Sequence, residues 1–562
     1  MKKRTSRTVI LAIIYIILSV LYTWLFAPHG YIRLMDSYDI LFHMNRVSSL
    51  GNIVSSPVNF QYWGHVGNMT SEFYPWLTIL PGYFIFQLAG NPVTGFLISL
   101  TLVTFLTFVS SYYFMKKFSS NTLQSFLFSI IYTLAFFRMA SVFYRAGVAE
   151  YICYIFVPML FYEFSELLSG KFSKWPLFAL SFSLIVLTHP LTAFTTVIIM
   201  IPLVFLILFS KVSHSWNYWY HLLLSGIESI IFVGITTLGF TLPMFQQQKY
   251  IPVNRPGLLD LASSAKDPVK MFQLATSTDL RNYSFGIIMI LAVIFVVIFI
   301  WKDKLAYKLV GIEMLLALIL STSIIPWENL QDTFFNYLQF PWRFLNLFVF
   351  FAAIYMSHIL TKLVDKRSPL LKLAVMLLVL VGCGSQVYAS GDRLNHQITL
   401  VKPVSKLTTH NSSGYVHEFT QVDYYPQRSL PHKLKIRQHV AIVDGKRTKL
   451  HARVTTSSFI AKYYNVESST IDLPVLVYKG VNVSINNETA PYTVSDRGTV
   501  QIKTKPGQNQ IEVSYHYSTV AKASIGISIV GFIALIWLCI NQGKILPVSE
   551  RKNKQAKKAE NS

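Results

Sequence analysis

The sequence predicts an α-helical polytopic membrane protein with a β-sandwich-like domain outside the membrane near its C-terminus. Two observations predict the helical part. Of 562 residues, 52% are hydrophobic and 13% are charged, against about 25% charged in a soluble domain, so most of the chain cannot be solvated in water. Apolar runs of roughly 17–25 residues, enough to span a bilayer, also recur along it. A third observation, alternating side chains in the polar stretch 390–520, predicts the strands.

The long runs occupy 9–26, 93–115, 191–209, 287–301, 309–325, 371–389 and 524–540. Further candidates lie between them at 123–137, 151–168, 175–188, 222–243 and 344–361. The first run follows a basic Met1-Lys-Lys-Arg4 start, as in a signal peptide. It is too long for a signal core and lacks a small-residue cleavage site, so it reads as a retained helix. Cys153, Cys383 and Cys539 all fall in these runs, and the polar domain has no cysteine. No disulfide framework or zinc site is implied.

Lysine and arginine placement sets the expected topology. The clusters Lys2-Lys3-Arg4, Lys116-Lys117, Lys171/Lys174, Lys211, Lys302/Lys304, Lys362/Lys366-Arg367 and the tail 551–558 can all be cytoplasmic if the short segment 76–90 does not cross. That segment contains Pro81 and Gly82, which suits a re-entrant or interfacial piece. About twelve crossings then remain, thirteen if it crosses. Both tails are cytoplasmic, and the outer face receives 27–92, 138–150, the Thr188-His189-Pro190 turn, 244–283, 326–343 and 390–522. The expected layout is a multi-span domain over 1–389 with a first outer loop at 27–92, a β-rich domain over 390–522, a last span at 523–541 and a basic tail at 542–562.

Strands are expected at 433–439, 447–453, 480–485, 500–504 and 510–515, with turns at Asp444-Gly445 and Pro506-Gly507. They suggest a small antiparallel sandwich on a membrane stalk. Residues 390–520 hold 16 Lys and Arg against 9 Asp and Glu, a net of +7. Two strands would carry basic faces, Lys433/Lys435/Arg437/His439 and Arg447/Lys449/His451/Arg453. An odd-residue connection stacks these faces and a two-residue turn opposes them. If stacked, they repel unless an anion such as an acidic polymer or lipid headgroups lies over them; otherwise they only reflect a basic chain. A nucleic-acid partner is not expected outside the membrane.

Asp36, Asp39, His43 and Arg46 in the first outer loop are spaced to share one face of a helix, with Ile40, Leu41, Met44 and Val47 largely on the other. Such a helix could rest on the membrane surface with its ionisable face toward a site, or simply be solvated. Arg145, Glu150, His189 and Arg343 also fall at or near the outer ends of apolar segments. Ionisable groups near membrane depth are expensive and mark candidate sites. Each has a structural alternative: Arg343 as a snorkelling anchor, His189-Pro190 as a helix end, and Arg145–Glu150 as an ion pair.

These segments carry a resemblance. Asp39-Ile-Leu-Phe-His43-Met-Asn-Arg46, Tyr144-Arg-Ala-Gly-Val-Ala-Glu150, Thr188-His-Pro-Leu-Thr-Ala193 and Leu338-Gln-Phe-Pro-Trp-Arg-Phe-Leu345 resemble bacterial membrane proteins labelled "pyruvoyl-tetrahydropterin synthase related", which are similar to the YfhO-like proteins. Leu473-Pro-Val-Leu-Val-Tyr-Lys-Gly480 and Ser495-Asp-Arg-Gly498 resemble their outer domain. The likeness covers nearly the whole chain. No pterin chemistry is implied, since the soluble synthase's zinc motif is absent from the sequence.

The resemblance implies a GT-C type glycosyltransferase of the bacterial cell envelope, taking a sugar from a polyprenyl-phosphate carrier at the outer membrane face. An acid in the first outer loop then serves as general base. Asp39 matches best, Asp36 is the alternative, and His43 is a further candidate or an orienting group. Negative charge builds on the departing phosphate, which calls for a fixed cation: Arg343 and Arg145 first, Arg46 third. Glu150 and His189 complete the expected substrate-binding set. Asp36 and Asp39 could instead share a divalent cation; no other cofactor is expected. The implied partners are the lipid-linked sugar, an anionic envelope polymer or glycolipid acceptor, and membrane lipids.

Two other classes compete with this reading. A transporter or flippase of lipid-linked sugar would place ionisable groups at mid-membrane on broken helices, often in repeated halves; here they lie near helix ends and no repeat is evident. A non-catalytic envelope scaffold would use the sandwich to hold a partner.

Overall fold

The computed structural model describes residues 2–34, 39–208, 215–257, 259–396 and 406–542, with the side chains of residues 2–7 and 208 excluded. The chain is mostly helical, with a β region near its C-terminus. Nine helices among the described residues are long and apolar enough to cross a membrane: Thr8–Phe26, Pro92–Ser119, Thr122–Tyr144, Val148–Leu168, Pro190–Ile207, Trp216–Tyr250, Pro341–Val364, Pro369–His396 and Thr519–Asn541. Phe172–Val186, Ile287–Lys302 and Leu305–Leu320 are shorter apolar helices. Every expected run thus falls on a helix. The run at 309–325 stops early, at Leu320, where the backbone turns and Thr322 bridges to Lys266.

With apolar surfaces all round, these helices are held together by close packing and by hydroxyls turned inward. Tyr15 and Ser129 hydroxyls meet at 2.6 Å. Thr101 donates to Thr23 at 2.9 Å, and Ser183 and Thr236 meet at 2.8 Å. The helices Trp216–Tyr250 and Thr519–Asn541 approach through glycine: a Cβ on Gly239 would stand 2.9 Å from the Ile525 Cα.

The segment 76–90 forms a short apolar helix, Leu77–Ala89. Its 13 residues rise about 20 Å, short of the roughly 30 Å hydrocarbon core. Gly90 at φ 71° reverses the chain, and the Asn91 side chain caps the next helix by accepting from the Thr94 N–H at 2.8 Å. The two helices then run back to back, with Gly95 against Phe86. The turn at Gly90 lies at one end of this hairpin. The long helix Pro92–Ser119 carries Lys116 and Lys117 to the other end. There the loops bearing Lys302/Lys304 and Lys366/Arg367 line a common cavity, so the basic loops gather on one face. Tail residues 543–562 and Lys211 lie outside the described residues.

Strands β1 (Ile32–Arg33) and β2 (Lys406–Leu407) pair antiparallel, tying the first loop to the entry of the C-terminal domain. The domain itself has strands β3 (Val440–Val443), β4 (Lys446–Lys449), β5 (Ala452–Val454), β6 (Ser458–Asn465), β7 (Ser469–Leu476), β8 (Val481–Ile485), β9 (Glu488–Thr489), β10 (Tyr492–Val494), β11 (Thr499–Thr504) and β12 (Gly507–Tyr515). They form two five-stranded antiparallel sheets, in order β10-β11-β7-β3-β4 and β5-β6-β12-β8-β9. Ile471, Leu473 and Ile502 of one sheet and Phe459, Ile511 and Val513 of the other share one core. Asp444 and Gly445, at φ 47° and 79°, make a turn where one was expected, and it is a two-residue hairpin turn between β3 and β4.

Several expectations need correction here. Residues 433–437 are a short helix, not a strand, preceded by a 3-10 turn at Gln427–His432. Alternating basic and apolar residues also fit one helical turn that buries Ile436 alone, so the first basic strand face does not exist. The stretch 447–453 is split between β4 and β5, which belong to different sheets, so Arg447/Lys449 and Arg453 share no ladder. The sandwich is not on a stalk. Val58, Phe60, Val66, Met69 and Phe73 of the first loop, and Ile251 and Val253, enter its core. The segment 138–150 is not all loop: Arg138 is fully buried in a helix that continues to Tyr144, where it donates to the Thr133 carbonyl and the Thr104 hydroxyl. The helix Pro369–His396 also runs past residue 389.

Candidate functional site

Asp39 opens the helix Asp39–Ser48, and a carboxylate in a first turn is favoured by the helix dipole. The helix does not rest on a membrane surface: every residue from Ile40 to Ser48 is buried. It packs against Leu80–Ala89 and against the domain's short helix Ser412–Glu418, and Asn45 donates to the Val416 carbonyl at 2.5 Å. Its amphipathic pattern therefore separates an apolar core from a buried polar cluster, not lipid from water. Asp36 lies outside the described residues.

The second contribution comes from the turn between two apolar helices. A π-helical stretch, Ala140–Tyr144, and Ala146 at a left-handed φ of 54° shape it; such π segments concentrate at functional sites. They present Arg145, whose Nη2 lies 2.8 Å from Glu150 Oε2 and whose Nε lies 3.4 Å from Asp39 Oδ2. Glu150 is anchored in turn: Ser141 Oγ and Asn346 Nδ2 donate to its Oε1 at 3.0 and 2.9 Å. Tyr154 donates to Asn346 at 2.6 Å. The Arg145 guanidinium also lies 5.4 Å from the centre of the Trp342 ring, which stacks on Tyr283.

Pro341 starts the helix that supplies the third contribution. Arg343 is buried there, donating to the Leu338 carbonyl and to Gln339 Oε1 at 3.0 Å. Its Nε has no hydrogen-bond partner among the described residues. Arg46 donates to the Pro75 carbonyl and stacks 3.7 Å over the Tyr74 ring, and its Nε and Nη1 have no hydrogen-bond partner among the described residues. His189 shares a 2.7 Å hydrogen bond with Thr192.

Charges in this cluster feel one another. Burial raises the Asp39 carboxyl above its ordinary range, while Arg145 and then Arg343 pull it back. Burial works against the Arg145 charge, but Glu150 and Asp39 outweigh it and hold the guanidinium protonated. Burial, followed by Arg46 and Arg145, keeps His43 well below the usual imidazole range. His189 is held at about 3, by burial first, against the pull of Glu150. Both imidazoles are thus neutral near pH 7.

Seven of the eight expected residues, Asp39, His43, Arg46, Arg145, Glu150, His189 and Arg343, therefore meet in one region beneath the β domain. Sequence reasoning missed Tyr74, Trp342 and Asn346, and Asp423 of the domain, which burial and then Asp39 push up to about 6. Their signal in the sequence is faint in a chain that is 15% aromatic. The Ser495-Asp-Arg-Gly498 motif proves architectural: Arg497 pairs with Asp472 at 2.6 Å inside the sandwich. Among the described residues no group of three or more His, Cys, Asp or Glu could hold a metal ion. No protein-family model matches the chain, and no curated protein matches it.

Proposed function

We propose that this chain is a multi-pass membrane glycosyltransferase of GT-C type, moving a sugar from a polyprenyl-phosphate carrier to a cell-envelope acceptor on the face that bears the sandwich. The observation that carries the reading is the convergence of Asp39, Arg145 with Glu150, and Arg343 from three separate segments. In the proposed step the Asp39 carboxylate takes the proton of an acceptor hydroxyl. The acceptor oxygen attacks the anomeric carbon, and the sugar–phosphate bond breaks with its electron pair leaving on the carrier phosphate. A carboxyl raised by burial is a better base near neutral pH than an ordinary one. Arg343 Nε and Arg46 Nε and Nη1, which have no hydrogen-bond partner among the described residues, offer N–H groups to that phosphate. Arg145 is held by Glu150 and Asp39, which makes it a positioning residue for the base.

One observation favours a transporter instead: a cavity opens at the end of the helices opposite the Asp39 cluster, where a transported lipid-linked sugar would need access to the second face. Envelope polymers analysed with and without the protein separate the readings. The enzyme predicts a missing sugar on an otherwise intact polymer. A flippase predicts accumulation of the lipid-linked sugar, and a scaffold leaves both unchanged.

A further inference from the structure

A cavity of about 1320 Å³ opens at the basic end of the helices. It lies far from the site above. Glu150 and Glu166 mark opposite ends of one helix, as do Arg343 and Lys362 of another, about 24 and 28 Å apart at the helical rise. Of these four residues, Glu166 and Lys362 line the cavity and Glu150 and Arg343 do not. Its volume exceeds the roughly 300–1,000 Å³ of a small-molecule pocket.

The walls have two chemistries. Inside are Phe128, Phe161, Phe350, Phe351, Leu203 and Ile354; at the mouth are Lys302, Lys304, Lys366 and Arg367. Acids at the mouth are largely spoken for. Asp303 accepts from Lys362 at 2.7 Å and Tyr355 at 2.6 Å, and Glu166 pairs with Lys171 at 2.8 Å. Asp365 is left against the four mouth cations. Thr361 lines the cavity with a buried hydroxyl that has no hydrogen-bond partner among the described residues.

We infer that this cavity binds a lipid with a phosphate head group, taken from the leaflet at the basic end. The phosphate sits among Lys302, Lys304, Lys366 and Arg367, and the hydrocarbon chain lies along the apolar wall formed by Phe161, Phe350 and Phe351. A free phosphate would have no use for the aromatic interior, and a neutral lipid none for the cationic rim. The site is independent of the transfer chemistry.

The test is native mass spectrometry of the full chain in detergent, titrated with phosphatidylglycerol, with diacylglycerol of the same chains, and with inorganic phosphate. Phosphatidylglycerol should bind at least about tenfold more tightly than diacylglycerol, as a charge-assisted contact implies, and inorganic phosphate should not displace it. Lys366→Glu with Arg367→Glu should abolish the preference. Ser165→Trp, on the cavity wall, should weaken both lipids. Lys372→Glu, at the same end but outside the cavity, should change nothing. Thermal unfolding checks that each variant folds. Equal binding of the two lipids, a preference that survives the double charge reversal, an equal loss in Lys372→Glu, or displacement by inorganic phosphate each overturns the assignment.

Discussion

Asp39 and Arg145 lie 3.4 Å apart, although one opens a helix in the first loop and the other sits at the turn between two apolar helices. Arg145 is shared: its shorter contact, 2.8 Å, is to the buried Glu150. The electrostatics of Asp39 are therefore set partly by a residue it does not touch.

Glu150→Gln should expose that link. It removes a nearby negative charge that raises Asp39 and ends the competition of Glu150 for the Arg145 charge. The Asp39 carboxyl should titrate lower, so the acid limb of the transfer pH–rate profile should move to lower pH. Breaking a buried pair also costs about 3–5 kcal/mol, so the unfolding temperature should fall. An acid limb that stays in place would uncouple Glu150 from the base.

Arg343→Lys keeps the charge and loses the planar fork. Loss of a charge-assisted phosphate contact should lower kcat/KM for the lipid-linked sugar by about tenfold or more, with the fold intact. A snorkelling anchor tolerates lysine, so wild-type kinetics in this variant would return Arg343 to a structural role.

Glu72 tests the burial of the first loop. It is buried near Tyr517, and burial raises its carboxyl from an ordinary 4.5 to about 8. A raised carboxyl binds its proton more tightly when folded, so the stability it contributes is present below pH 4.5 and is lost as pH rises through about 8. Glu72→Gln should match the wild type in unfolding temperature at pH 4.5 and exceed it at pH 8.5. Equal temperatures at both would mean that Glu72 reaches solvent.

Arg497→Leu addresses the sandwich. Arg497 donates to Asp472 Oδ2 at 2.6 Å, to the Asp472 carbonyl at 3.0 Å and to the Val440 carbonyl at 3.0 Å, joining β7 to β3. Removing it leaves the buried Asp472 carboxylate its Thr499 hydroxyl but no counter-charge, at a cost of about 3–5 kcal/mol. The C-terminal domain should become protease-sensitive at a lower temperature, and unchanged resistance would show that Asp472 finds another partner.

The helices were legible because long apolar runs have few other places to go. Their ends were not, since Leu320 is set by a local turn and polar contacts that hydropathy does not register. Arg145, Glu150, His189 and Arg343 could be found from the cost of ionisable groups near apolar segments. Asp39, His43 and Arg46 were found from helical spacing, but the same spacing suggested a membrane-surface helix. Only the packing of the domain helix Ser412–Glu418 against it reveals that both faces are covered. The 433–439 reading failed because a five-residue alternation cannot separate a strand from a helical turn. Asp423 gave no signal, since its approach to Asp39 depends on how the domain docks.

Asp39→Asn tests the central claim most directly, because it keeps the side-chain shape and removes the base. The measurement is sugar transfer from a synthetic polyprenyl-phosphate sugar by the detergent-purified chain, with Asp36→Asn and His43→Gln alongside and folding checked by thermal unfolding. Asp39→Asn should lose about 10²–10⁴ in rate, with the other two variants losing less. Since burial raises the Asp39 carboxyl, the wild-type rate should climb with pH through that raised value, and the climb should vanish in Asp39→Asn. A folded Asp39→Asn protein that transfers sugar at the wild-type rate would contradict the account.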